Sequence, residues 1–136
     1  MRILIAEDDR ISRLFLEKFM AAYGECDVAV DGMEALDLFM DGIKENKPYD
    51  LACVDIMMPK VDGIKLIKVL RTMEKQRNVA EDRRLKIIMM TALADVSYVD
   101  KAFELGCDAY ATKPIDTEKV EEVLQNMGFA KKTASR

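Results

Sequence analysis

Five short apolar runs, each followed by a stretch with helical spacing, constrain this 136-residue chain more than any other feature. Such alternation suits a parallel sheet covered by helices on both faces, because each strand returns through a crossover and is buried on two sides. Strands are expected at Arg2 to Ala6, Asp27 to Val30, Leu51 to Asp55, Lys86 to Met90 and Ala109 to Ala111. The run KIIMM is the clearest of them, apolar toward both faces.

The segments between carry their own start and stop signals. In the first helix Ile11, Leu14, Phe15 and Phe19 form an apolar stripe, and Gly24 is its stop. Asp31 is the expected cap of the second, with Ala35, Leu36 and Phe39 inward and Gly42 closing it. The third starts after KVDG, packs Ile64, Ile67 and Leu70, and runs on into the charged MEKQRNVAEDRR. The fourth begins near Asp95, turns Val99, Ala102 and Phe103 inward and ends at Gly106. The last, capped by Asp116 or Thr117, buries Val120, Val123 and Leu124. We place one domain over residues 1–128 and a short polar tail over 129–136.

A chain of this length buries about two thirds of the surface its unfolded form exposes. The net charge of −4 without a long basic stripe argues against nucleic acid as a direct ligand. The cluster Arg83, Arg84 and Lys86 follows two acids and reads as a solvated loop or helix end. No apolar run reaches the length of a membrane span, and MRILIAEDD has acids where a signal peptide would stay apolar, so a cytoplasmic protein without membrane insertion is expected. Cys26, Cys53 and Cys107 are odd in number and lack CxxC spacing, which points to buried reduced thiols. With no histidine, every mechanism that needs an imidazole base within the chain is excluded.

In an open doubly wound sheet, ligands bind at the carboxyl ends of the strands. There the sequence puts Glu7 and Asp8 after the first strand, Asp55 at the end of the third, Thr91 after the fourth and Lys113 after the fifth. The stretch LIAEDDR crowds three acids against a core strand, and like charges so close need a positive partner. Carboxylates, a hydroxyl and an ammonium together make a site for a hard cation and an anion; Mg²⁺ takes one or two carboxylates and shares its shell with phosphate oxygens. Asp55 is placed to accept a phosphoryl group as an acyl phosphate, with Lys113, the Thr91 hydroxyl and backbone N–H groups on the phosphoryl oxygens. Ala92 is small and leaves room for that group.

The segments ILIAEDD with Arg13, DLACVDIMMPKVDG, IIMMTA and YATKP, in that order, resemble the receiver domains of bacterial two-component response regulators. The resemblance runs from Ile3 to Pro114 and implies a flavodoxin-like α/β fold, a five-stranded parallel sheet of order 2-1-3-4-5 with five helices. It implies Asp55 as phosphoacceptor, Asp8 as a direct Mg²⁺ ligand, Glu7 acting largely through water, and the Met57 main-chain carbonyl as a further ligand. Thr91 and Lys113 would contact the phosphoryl group, Tyr110 would be the switch aromatic, and the Lys113–Pro114 bond would be cis. Asp9 is expected to cap a helix or form a salt bridge rather than bind metal.

The same resemblance implies a single-domain response regulator, not a separate substrate-turnover enzyme. It would take a phosphoryl group from a sensor histidine kinase or histidine phosphotransfer protein, docking near Ile11, Leu14 and Phe15. It would then meet an unidentified protein target through the face of the fourth helix, fifth strand and fifth helix. Glu7-Asp8 replaces the more familiar Asp-Asp pair, and the segment before the fourth strand is longer than in a minimal receiver. The residues two after the phosphoacceptor and two after the switch threonine, Met57 and Leu93, cannot orient a water, so slow self-dephosphorylation is expected. Packing is the expected role of the methionines in IMM and IIMM. An aspartyl phosphatase of the haloacid dehalogenase class fits poorly, because it needs an aspartate where Met57 stands. A phosphorylation-independent interaction module, or a receiver segment of a larger hybrid kinase or regulator, is the alternative. The methionine directly before the first strand favours a complete small protein.

Overall fold

Five parallel strands in the order β2-β1-β3-β4-β5 form the sheet of the computed structural model, which describes residues 1–58, 60–92 and 96–132. The elements run β1 (Arg2–Ala6), α1 (Arg10–Met20), β2 (Glu25–Ala29), α2 (Gly32–Lys44), β3 (Leu51–Asp55), α3 (Gly63–Gln76), β4 (Lys86–Thr91), α4 (Val96–Leu105), β5 (Ala109–Thr112) and α5 (Thr117–Asn126). β1 and β3 have the expected bounds, and β2 lies earlier than expected, leaving Val30 exposed beyond its end. β4 and β5 each run one residue further, to Thr91 and Thr112.

Because successive side chains alternate across a sheet, the strands feed two cores. Leu4, Ala6, Ala52, Val54, Ile87 and Met89 pack with Phe39, Leu66, Leu70 and Ala102 from α2, α3 and α4. Ile3, Ile5, Cys53, Ile88 and Met90 pack with Leu16, Met20, Val120 and Leu124 from α1 and α5. Phe129, just past α5, also packs on this second core. All three cysteines are free thiols, and burial raises the pKa of each.

Several helix expectations need correction. In α1 the buried face is Leu16 and Met20, whereas Ile11, Leu14 and Phe15 are 80%, 52% and 41% exposed. At about 100° per residue, Ile11 and Leu14 fall nearly half a turn around the helix from Leu16. Phe103 likewise faces out, while Ala102 beside it is buried. Gly42 does not end α2; it is buried inside it, where a Cβ would sit 2.9 Å from the Lys47 carbonyl oxygen. α3 stops at Gln76, with Asn78 at a φ of 55°, and a short 3-10 turn covers Glu81–Arg83. Asp62 and Asp116 cap α3 and α5, as Asp31 caps α2. The expected start of α4 at Asp95 lies outside the described residues.

At the amino edge of β4, a polar network joins α3 to the chain around the strand. The Arg71 guanidinium donates to the Gly106 carbonyl at 2.7 Å and to the Leu85 carbonyl at 2.7 Å. It also pairs with Glu74 at 2.7 Å and Asp108 at 3.0 Å. Glu74 is buried inside the charged segment whose role the sequence leaves open, and its other oxygen accepts the Leu85 N–H at 2.6 Å. Among the described residues, no helix is long and apolar enough to cross a membrane.

Candidate functional site

Parallel register brings the carboxyl ends of four strands to one edge: Ala6 lies beside Val54, Asp55 beside Met90, and Thr91 beside Thr112. Glu7, Asp55, Thr91 and Lys113 therefore stand at or one residue beyond neighbouring strand ends. β2 supplies a main-chain acceptor: the Glu7 N–H donates to the Ala29 carbonyl at 3.0 Å.

The first turn of α1 secures the acidic loop. Asp9 is the N-cap, its carboxylate accepting the Ser12 N–H at 2.9 Å, and that bond holds its pKa below the ordinary aspartate value. Arg13 donates to the Glu7 and Asp8 carbonyls, both at 3.2 Å. This is a role the sequence did not show, since a helix-face arginine is usually a solvated charge. The Asp9 N–H donates to Glu7 Oε2 at 3.2 Å.

Carboxylate oxygens of Glu7, Asp8 and Asp55 lie within 4.8 Å of one another. Glu7 is fully buried and Asp55 is 5% exposed, while Asp8 opens to solvent. Lys113 reaches between the two buried acids, 3.1 Å from Asp55 Oδ2 and in contact with Glu7 Oε1. Burial opposes the charge on Lys113, but Glu7 and Asp55 outweigh it and hold its pKa above the ordinary lysine value. Burial, reinforced by the neighbouring Asp55, raises Glu7 to about 7 against the pull of Lys113. One ammonium among three carboxylates leaves negative charge in excess, and the oxygen donors suit a hard divalent cation such as Mg²⁺.

Asp55 is also held from its own loop. Its Oδ1 accepts the Met57 N–H at 3.2 Å. At Gly63, a Cβ would stand 2.4 Å from the Asp55 carbonyl oxygen, so only glycine lets α3 begin this close to the end of β3. Across the same loop, Lys60 pairs with Asp31 at 3.2 Å and ties it to the start of α2.

Thr91 is buried at the end of β4, and its carbonyl accepts the Lys113 N–H at 2.7 Å. The Lys113–Pro114 bond is cis, as expected. Tyr110 is 43% exposed on β5 and meets Phe103 of α4 edge to face, with ring centroids 6.1 Å apart. The Met57 side chain is 63% exposed, contrary to the packing role expected of it, whereas Met58, Met89 and Met90 are buried. Leu93 lies outside the described residues.

The family model described as response regulator receiver domain matches residues 3–125. The response regulator MprA of Mycobacterium sp. (strain KMS) is 35% identical over 128 residues, covering 93% of this chain and 49% of that protein. The osmosensing histidine protein kinase SLN1 of Saccharomyces cerevisiae is 28% identical over 126 residues, 91% of this chain and 10% of the kinase. The chain thus spans half or less of the length of these relatives. Among solved structures, a chain of the co-crystal of the S. cerevisiae phosphotransfer protein Ypd1 with the Ssk1 receiver domain superposes with a TM-score of 0.79 at 25% identity, covering 92% of this chain and 87% of that one. A chain of the CheX-CheY-BeF3-Mg complex of Borrelia burgdorferi gives 0.77 at 26% identity, with 94% and 89% covered.

Proposed function

Because the chain belongs to the response regulator receiver domain family, we propose that it accepts a phosphoryl group on Asp55 from a phosphohistidine. The donor is a sensor histidine kinase or a histidine phosphotransfer protein. A carboxylate oxygen of Asp55 attacks phosphorus, the P–N bond to the imidazole breaks, and the leaving ring keeps the electron pair and takes its proton from solvent. The observation that carries this reading is Lys113 lodged between buried Asp55 and Glu7 beside Asp8, which leaves a nucleophile at hand and a surplus of negative charge for a cation.

Asp8 and Asp55, the Met57 main-chain carbonyl, and Glu7 through water would hold Mg²⁺. When bound, the ion neutralises charge on the phosphoryl oxygens. Lys113 pairs with a second oxygen and the Thr91 hydroxyl donates to a third. As Thr91 moves toward the phosphoryl group, Tyr110 turns inward from its place beside Phe103. The face of α4, β5 and α5 then changes its affinity for a protein target. The receiver unit spans residues 1–129, since Phe129 packs on its second core, with a polar tail after it; it works in the cytoplasm and turns over no separate substrate. Exposed Ile11, Leu14 and Phe15 on α1 suit docking of the phosphoryl donor, and likeness to a chain in the Ypd1 complex supports a donor of the phosphotransfer kind.

Intact-protein mass spectrometry after incubation with phosphoramidate tests the reading. One phosphoryl adduct that needs Mg²⁺ and is missing from Asp55→Asn is the expected result. An equal adduct in Asp55→Asn, or none in the wild-type protein with Mg²⁺, contradicts it.

Met57 stands exposed beside Asp55 and offers no group to orient a water. Met57→Asn supplies one and is expected to speed loss of the phosphoryl group on the order of tenfold. The decay of the adduct in Mg²⁺ after removal of donor measures this, and an unchanged half-life would show that Met57 does not border the water's path.

A further inference from the structure

Beyond the carboxylate edge, α3 and α4 bound an open groove of about 620 Å³. Its floor is apolar, built from Ile56, Met58 and Ile64, and Met57 and Tyr98 stand at its sides. Tyr98 is 43% exposed and Met57 63% exposed, large apolar surface left open to solvent. A thioether and a phenol ring adapt to varied apolar partners.

Cations outnumber acids on the rim. Lys65 of α3 and Lys101 of α4 line the groove, and among the described residues neither ammonium has an ion-pair or hydrogen-bond partner. Asp62, the acid on this rim, is engaged as the cap of α3, accepting the Lys65 N–H at 2.9 Å. Two ammoniums against one carboxylate leave the groove net positive on a chain whose net charge is −4.

We propose that this groove docks an acidic amphipathic segment of a partner protein, its apolar side chains on Ile64, Met57 and Tyr98 and its carboxylates on Lys65 and Lys101. A small molecule would be left largely uncovered here, since ligand pockets enclose most of their ligand. A helix or extended strand laid across the groove covers it and meets both cations. The groove uses Tyr98 and Lys101 of α4, whereas the proposed switch face uses Phe103 of α4 with Tyr110 of β5. It shares Met57 with the loop that holds Asp55.

The test titrates the isotopically labelled full chain with a short acetylated peptide of Glu, Leu and Phe whose apolar residues recur at helical spacing. The same peptide with Lys at every Glu position is the comparison. The acidic peptide is expected to shift the amide signals of Ile64, Lys65, Tyr98 and Lys101 and the basic one to leave them in place. The exposed double substitution Lys65→Glu with Lys101→Glu should weaken binding about tenfold while the remaining spectrum stays that of the folded protein. Equal binding of the two peptides, shifts confined to α1 or to the Phe103 and Tyr110 face, or no shift overturns the proposal. Self-association through the groove, seen by sedimentation without peptide and abolished by the double substitution, would assign it to a second copy and overturn it as well.

Discussion

Lys113→Ala keeps the fold and slows phosphoryl uptake by about 10²- to 10³-fold, equivalent to roughly 2.7–4 kcal/mol of transition-state stabilisation. The ammonium lies 3.1 Å from Asp55 Oδ2 and touches Glu7. On the proposed reading it is thus held close to where negative charge would gather on the phosphoryl oxygens. Asp8, Asp55 and the Met57 carbonyl would hold a cation on one side of the transferred group, and on the same reading Lys113 supplies the charge on the other. A time course of adduct formation from phosphoramidate at saturating Mg²⁺ measures the effect. Uptake within about twofold of wild type would remove Lys113 from the transfer step and leave it the smaller task of separating two buried acids.

Glu74→Ala costs about 2–3 kcal/mol of folding stability, a substantial share of the roughly 5–15 kcal/mol typical of a domain. Arg71, 19% exposed in its side chain, loses its ion pair with Glu74, and the Leu85 N–H loses its acceptor in the same stroke. Arg71 keeps its pair with Asp108 and its bonds to the Gly106 and Leu85 carbonyls, so the main penalty is the buried Leu85 N–H left without an acceptor, added to the lost pair. Urea denaturation followed by circular dichroism reads the loss. Since the network lies at the amino edge of β4 and Asp55 at the opposite edge of the sheet, the adduct formed per folded molecule should be unchanged. A loss under about 1 kcal/mol would mean that water reaches Glu74 and replaces its partners.

These outcomes bear on different parts of the molecule, and the sequence was unequally informative about them. The sheet was legible because β1, β3 and β4 are buried on both faces and so read as unbroken apolar runs, while Gly, Asp and Pro punctuate what lies between. The acids and the lysine were legible for a related reason: in a parallel sheet the residue just past a buried strand can only stand at the carboxyl edge. Helix faces were harder. α1 carries more apolar residues than its inward face accommodates, and spacing alone does not separate Leu16 and Met20, which pack, from Ile11 and Leu14, which do not. Phe103 was misplaced because Ala102 beside it is enough to fill the contact of α4 with the core. The Arg71 network could not be read at all. Its partners Leu85, Gly106 and Asp108 lie 14, 35 and 37 residues away along the chain, and a glutamate in a charged run gives no sign of burial. Nor could the hold of Arg13 on two main-chain carbonyls be read, since it depends on how α1 leaves β1.

The most direct measurement is to locate the phosphoryl group in the chain. Protein loaded from phosphoramidate in Mg²⁺ is treated with borohydride, which reduces an aspartyl phosphate to homoserine, then digested and sequenced by mass spectrometry. The account predicts homoserine at the position of Asp55 and at no other acid. Homoserine at Asp8, or at an acid outside the strand edge, would contradict it.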